Sequence, residues 1–177
     1  RGTWAQDGGG ALMNQGIHSV DLLLWVMGDV KAVSADKASL THDIEVEDTV
    51  SATIEFVSGA MGSVQATTSV KHGIDKRLEI FGENGTVIID GENVVMWEFE
   101  DEPSQGAHDI ETREGISAKS PLIEDVWGHQ QQISDMIRAI REDTEPLVSG
   151  RDGMKAVELV LAIYESARTG KRVVLAE

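Results

Sequence analysis

Apolar positions in residues 10–27 recur at the helical period. Met13, Ile17, Val20, Leu24 and Met27 follow one another at four, three, four and three residues, which stacks them on one face of a helix ending at Gly28-Asp29. A second row, Asn14, His18, Asp21 and Trp25, runs beside the first at four, three and four, and lines up an amide, an imidazole and a carboxyl group. The pattern then changes to alternation. It is weak over 31–40 and clean over 49–56, predicting strands on either side of an acidic loop, 42–48. Ser58-Gly59 turns the chain into a hairpin partner over 60–70. Further strands are predicted over 76–81, 86–90 and 94–99, joined by Gly82-Glu83-Asn84-Gly85 and Asp90-Gly91-Glu92-Asn93. Residues 100–121 are acidic and aperiodic, a surface loop. Helical spacing returns over 123–142, with Ile133, Ile137 and Ile140 expected to face inward. It recurs over 150–169, with Ala156, Leu159, Val160 and Ile163 inward. Gly170 suits the C-terminal position of that helix, and 172–175 predicts a last short strand.

Five or six consecutive strands on short connections predict antiparallel pairing. The fold class is therefore α+β: an open-faced, largely antiparallel β-sheet with helices packed on one face. Alternating pairs such as Thr53 against Ile54 and Gln65 against Val64 leave open which face is covered. A length of 177 residues suits one domain with a core of its own. Cysteine is absent, which excludes disulfides, thiolate metal sites and thiol catalysis. The net charge of −16 repels phosphate backbones and argues against nucleic-acid binding. No stretch reaches the roughly 20 apolar residues of a membrane span and no secretory leader opens the chain, so a cytoplasmic protein without membrane contact is expected. The first residue is Arg1 rather than Met, and a fragment with its N-terminus upstream is expected.

The first helix opens under three glycines, and the stretch Asp7-Gly8-Gly9-Gly10-Ala11-Leu12-Met13-Asn14-Gln15-Gly16-Ile17-His18-Ser19-Val20-Asp21 resembles the signature of the glucose-fructose oxidoreductase, inositol dehydrogenase and MocA family (Gfo/Idh/MocA). Glu79-Ile80-Phe81-Gly82-Glu83-Asn84-Gly85-Thr86 is similar to the family's strand-turn-strand segment. The close, from Glu145-Pro146-Leu147-Val148 through Ala162-Ile163-Tyr164-Glu165-Ser166-Ala167-Arg168-Thr169-Gly170-Lys171, is similar to its terminal helix and strand. Three matches in the family's order cover essentially the whole chain. The resemblance implies a C-terminal, substrate-side domain spanning 1–177. In the family its N-terminal partner is a Rossmann domain that binds NAD or NADP and carries a Glu-Lys-Pro motif. This chain has neither a Gly-x-Gly-x-x-Gly after a strand nor a Lys-Pro pair. An intact enzyme using NAD or NADP is expected, with an inactive isolated fragment that holds no nicotinamide cofactor. A homodimer or homotetramer through the open sheet face is implied as well. The family usually has Asp four residues before its histidine; here Asn14 stands there, as in a subset acting on nucleotide-linked amino-sugars.

The implied reaction oxidises a hydroxyl of a sugar, nucleotide-sugar or cyclitol. It needs a base for the hydroxyl proton, and an imidazole, which titrates near neutrality, suits that task. His18 is the candidate base, and Asn14 the candidate that holds the substrate hydroxyl or the imidazole in place. Asp21 either accepts from His18 and fixes its tautomer or caps a neighbouring loop. Trp4 and Arg1, before the glycines, and His129, in Trp127-Gly128-His129, are candidates for lining the substrate pocket. Gly9 and Gly10 are expected to let substrate or cofactor pack closely against the helix start, the alternative being an anion cradle. No metal site is expected, since no His, Asp or Glu spacing suits one. Two other functions stay open: a cofactor-free oligomerisation or carbohydrate-binding module, and an NAD-assisted glycosidase of the same family.

Overall fold

The computed structural model of the chain describes residues 2–91, 93–101 and 127–176. Helix α1, Trp4–Asp7, is started by Thr3, whose Oγ1 accepts the Gln6 N–H at 3.3 Å, and stopped by Gly8 at φ 68°. A single π-helical turn, Leu12–Gly16, runs directly into α2, Ile17–Met27. Strands β1, Val30–Ala38, β2, Thr49–Phe56, and β3, Met61–Thr67, follow. Then come β4, Arg77–Phe81, β5, Gly85–Asp90, and β6, Asn93–Phe99. Helices α3, Trp127–Glu142, and α4, Gly150–Thr169, precede the two-residue strand β7, Val173–Val174. The start of α4 carries a reciprocal cap: Ser149 Oγ accepts the Asp152 N–H, and Asp152 Oδ2 accepts the Ser149 N–H at 2.8 Å.

The chain divides into two compact units, Arg1–Val70 with Leu147–Glu177, and Lys71–Pro146. In the first, the sheet order is β3-β2-β1-β7, every pair antiparallel. The clean alternation of β2 is realised as expected. Val50, Ala52, Ile54 and Phe56 are buried, while Ser51 and Thr53 are exposed. Helix α4 covers the apolar face with Ala156, Leu159, Val160 and Ile163, and α2 adds Val20. Each large side chain so buried contributes roughly 1.5–3 kcal/mol. The opposite face is left open and polar, with Ser34, Thr53 and Ser63 forming one rung and Asp36, Ser51 and Gln65 the next.

The second unit holds the sheet β4-β5-β6, also antiparallel, and α3. The predicted run of strands is thus two sheets. Strand β3 ends at Thr67, and His72 (φ 72°) and Gly73 (φ 62°) follow in left-handed backbone that a strand cannot contain. The inward placement of Ile133, Ile137 and Ile140 is corrected: they are 61%, 43% and 73% exposed. Their spacing makes an apolar stripe, but among the described residues of α3 only Ala139 is buried. Helical periodicity identifies a face without saying that anything covers it.

Candidate active site

The glycine-opened helix start is held by a carboxyl group brought from the loop just before β2. Glu47, 2% exposed, accepts the Gly10 N–H on Oε2 at 3.0 Å and the Leu12 N–H on Oε1 at 3.1 Å. Its own carbonyl accepts the Ala11 N–H at 2.9 Å. Three consecutive N–H groups that a helix N-terminus leaves unpaired are therefore satisfied from outside the helix. Tyr164 of α4 donates its hydroxyl to Glu47 Oε1 at 2.8 Å, and the same hydroxyl oxygen lies 3.3 Å from the Gly10 N–H. Burial of the phenol, with the hydrogen bond to Glu47 acting the same way, pushes the Tyr164 pKa well above the usual tyrosine value.

Gly9 and Gly10 are glycines for a reason internal to the chain. A Cβ on Gly10 would stand 1.8 Å from the Glu47 carbonyl oxygen, and one on Gly9 would stand 2.6 Å from the Tyr164 hydroxyl. Both residues are buried. The close approach expected of a substrate or cofactor is made instead by Glu47 and Tyr164, and an anion cradle there would find the N–H groups of residues 10–12 already bonded. These residues do not fit a dinucleotide's phosphates.

Asn14 lies inside the π turn, where the helix closes at i+5 instead of i+4. Its Nδ2 donates to the carbonyls of Gly9 at 2.6 Å and Gly10 at 3.2 Å. The amide is anchored backward to the glycines and does not hold the imidazole; Oδ1 is left to accept. His18, in the first turn of α2, is exposed, as are Asp21 and Trp25 further along. The polar row foreseen on this helix is a solvent-facing one. Among the described residues Asp21 hydrogen-bonds neither His18 nor a loop.

Trp4 is 37% exposed and meets Tyr164 edge-on, with ring centroids 5.4 Å apart. Lys37 Nζ stands 4.8 Å from the Trp4 ring and 5.5 Å from that of Tyr164. Trp4, Gly9, Gly10, Asn14, His18 and Asp21 all belong to the first unit. His129 is exposed on α3 of the second unit, and Arg1 lies outside the described residues. No three His, Asp or Glu side chains stand together as metal ligands among the described residues. No described helix is long and apolar enough to cross a membrane. Sequence reasoning missed Glu47 and gave Tyr164 no role. The signals were modest: a pair of acids directly before a strongly alternating strand, and the chain's one tyrosine.

Comparison with known proteins identifies the family. The family model described as the oxidoreductase family, C-terminal alpha/beta domain, matches residues 1–175. The chain is 28% identical, over 96% of its length and 50% of the relative's, to myo-inositol 2-dehydrogenase of Thermotoga maritima. It is 26% identical, over 89% and 46%, to D-apiose dehydrogenase of Rhizobium rhizogenes. Among solved structures it is similar to the WlbA dehydrogenase from Bordetella pertussis in complex with NADH and UDP-GlcNAcA. That likeness has a TM-score of 0.80 and 36% identity and covers 100% of this chain and 49% of that one. The chain spans about half the length of the curated relatives it matches. It belongs to the Gfo/Idh/MocA oxidoreductase family, as that family's C-terminal α/β domain.

Proposed function

We propose that residues 1–177 form the substrate-side domain of a cytoplasmic NAD(P)-dependent oxidoreductase that oxidises a hydroxyl of a sugar, nucleotide-sugar or cyclitol. The observation that carries this is the exposed His18 on a helix whose start is locked from beneath, with Asn14 anchored one turn earlier. Asn14 Oδ1 accepts from the substrate and aligns it. His18 takes the proton of the hydroxyl that becomes a carbonyl. A nicotinamide cofactor would supply the hydride acceptor for the same carbon. The cofactor would be held by residues other than Gly9 and Gly10, in a nucleotide-binding domain of the intact enzyme. Trp4, braced on Tyr164, and Asp21 border the substrate. Relatives of this chain support the substrate class: one is a myo-inositol dehydrogenase, another is seen with NADH and UDP-GlcNAcA. The polar open face of the first sheet is the surface proposed for assembly into homodimers or homotetramers.

The test is nicotinamide reduction by the intact enzyme, assayed with UDP-GlcNAcA and with myo-inositol. His18→Ala should lower turnover by about 10²–10⁴-fold, the usual loss when an acid–base group is removed. Near-normal turnover in that variant would return His18 to a surface residue without a chemical role. Cleavage of a glycoside with no net change in the nicotinamide would instead identify an NAD-assisted glycosidase.

A further inference from the structure

The geometry points to Glu47 and Tyr164 as positioning residues that set the orientation of the Asn14–His18 face; this rests on that face being the reacting one. Helix starts are ordinarily satisfied locally, by a Ser, Thr, Asp or Asn at the N-cap. Here Ala11 occupies that position and supplies no side-chain bond. The N–H groups are taken by a residue 37 positions away for Gly10 and by one 154 positions away for the second, longer contact. A local cap travels with its helix. A cap borrowed from the loop before β2 and from α4 fixes the helix start to the core.

The consequence runs outward in steps. The Tyr164 hydroxyl donates to Glu47 Oε1, and Glu47 fixes the N–H groups of Gly10 and Leu12. With that backbone fixed, the carbonyls of Gly9 and Gly10 are fixed too, and these two carbonyls receive the Asn14 amide. Asn14 Oδ1 and the turn leading to His18 take their direction from this chain of bonds. Glu47 and Tyr164 are 2% and 7% exposed, so neither is placed to touch substrate. They act through Asn14. The same tyrosine ring seats Trp4 edge-on, so one residue braces both the aromatic border and the polar row.

Isotope-labelled samples of the full 177-residue chain test this by nuclear magnetic resonance. Tyr164→Phe keeps the ring and its packing and removes only the hydroxyl. Glu47→Gln keeps the shape but puts an amide N–H₂ where a hydrogen must be accepted. In Tyr164→Phe the Asn14 side-chain amide pair and the His18 ring signals should move. Exchange protection of the Gly10 and Leu12 amides should fall at least about tenfold, the effect of losing one bond in the network. Leu159→Ala is the control: a core variant with a larger drop in melting temperature that should leave those signals in place. The positioning role is overturned if Tyr164→Phe leaves the Asn14 and His18 signals unmoved, or if Leu159→Ala moves them as far. Tyr164→Phe decides the matter even if Glu47→Gln does not fold. Unmoved signals alongside a crippled His18→Ala enzyme remove the positioning role alone. Moved signals alongside a fully active His18→Ala enzyme remove the reacting-face reading alone.

Discussion

Two adjacent acids, Glu47 and Asp48, face opposite ways and do different work. Glu47 satisfies the N–H groups of residues 10–12, whereas Asp48 organises the loop before it. Asp48 is 0% exposed, and its Oδ1 accepts the Leu40 N–H at 2.9 Å while Oδ2 accepts the N–H groups of Thr41 at 2.8 Å and His42 at 3.0 Å. Burial by itself raises the pKa of a carboxyl; here those three backbone N–H groups and the Thr49 hydroxyl more than offset it, and Asp48 is held well below the usual carboxylate range. A depressed folded-state pKa stabilises the fold above the unfolded value, near pH 4, and that contribution is lost as pH falls below it. Asp48→Asn should therefore lower the melting temperature at neutral pH by about 5–10 °C, given several charge-assisted bonds and a chain of this size. The gap to the parent chain should narrow steadily below about pH 4. Thermal melts across pH check this; a constant gap would contradict it. These roles are not legible in the sequence, where 42–48 reads as a solvated acidic loop. Polar spacing there has no period, and Tyr164, the partner of Glu47, is 117 residues away. The row Asn14, His18, Asp21, Trp25 is legible because a helix gives its faces a period, although that period does not reveal that the row is exposed.

Among elements, alternation and helical spacing predict the structure wherever a core enforces them. Strand β2 and the inner face of α4 are the clearest cases, since one residue of slip would put Ile54 or Leu159 into water. What escapes the sequence is geometry decided by close contact. Spacing in the first helix fits 3.6 residues per turn throughout, yet the helix opens on an i→i+5 turn at Leu12–Gly16. The glycine run suggests access for a ligand, while within the structure Gly9 and Gly10 give clearance for Tyr164 and Glu47. Neighbouring glycines can separate the two ideas. Gly10→Ala drives a methyl group into the Glu47 carbonyl, a backbone atom that cannot step aside, and should cost about 3 kcal/mol or more by chemical denaturation. At Gly8 the backbone is left-handed, but a Cβ there would have nothing within 4 Å. Asn, which tolerates that conformation, should cost about 1 kcal/mol or less there. Equal losses at the two positions would mean that conformation and not clearance explains the glycines.

For the whole molecule, what matters is how the chemistry is divided. The chain spans about half of its curated relatives, some of its structural relatives are seen with NADH, and its own glycine-opened helix start has its N–H groups bonded to Glu47. A dinucleotide brings two phosphates, and the chain meets them with a formal charge of −16. That repulsion is screened beyond roughly 8 Å at physiological ionic strength and reaches further at low salt. Neither the backbone donors at the helix start nor the overall field favours the cofactor, and on the proposed reading it is held elsewhere in the intact enzyme. Calorimetric titration of NAD⁺ or NADP⁺ into the 177-residue chain should accordingly give no micromolar binding at any salt concentration, while the intact enzyme should bind one of them at that level. If the chain alone does bind with micromolar affinity, some other part of its surface carries the dinucleotide. His18 would then share a single chain with the hydride acceptor, and the proposed separation into a proton-accepting half and a cofactor-holding half would fail, even with the fold and the Glu47–Tyr164 anchor unchanged.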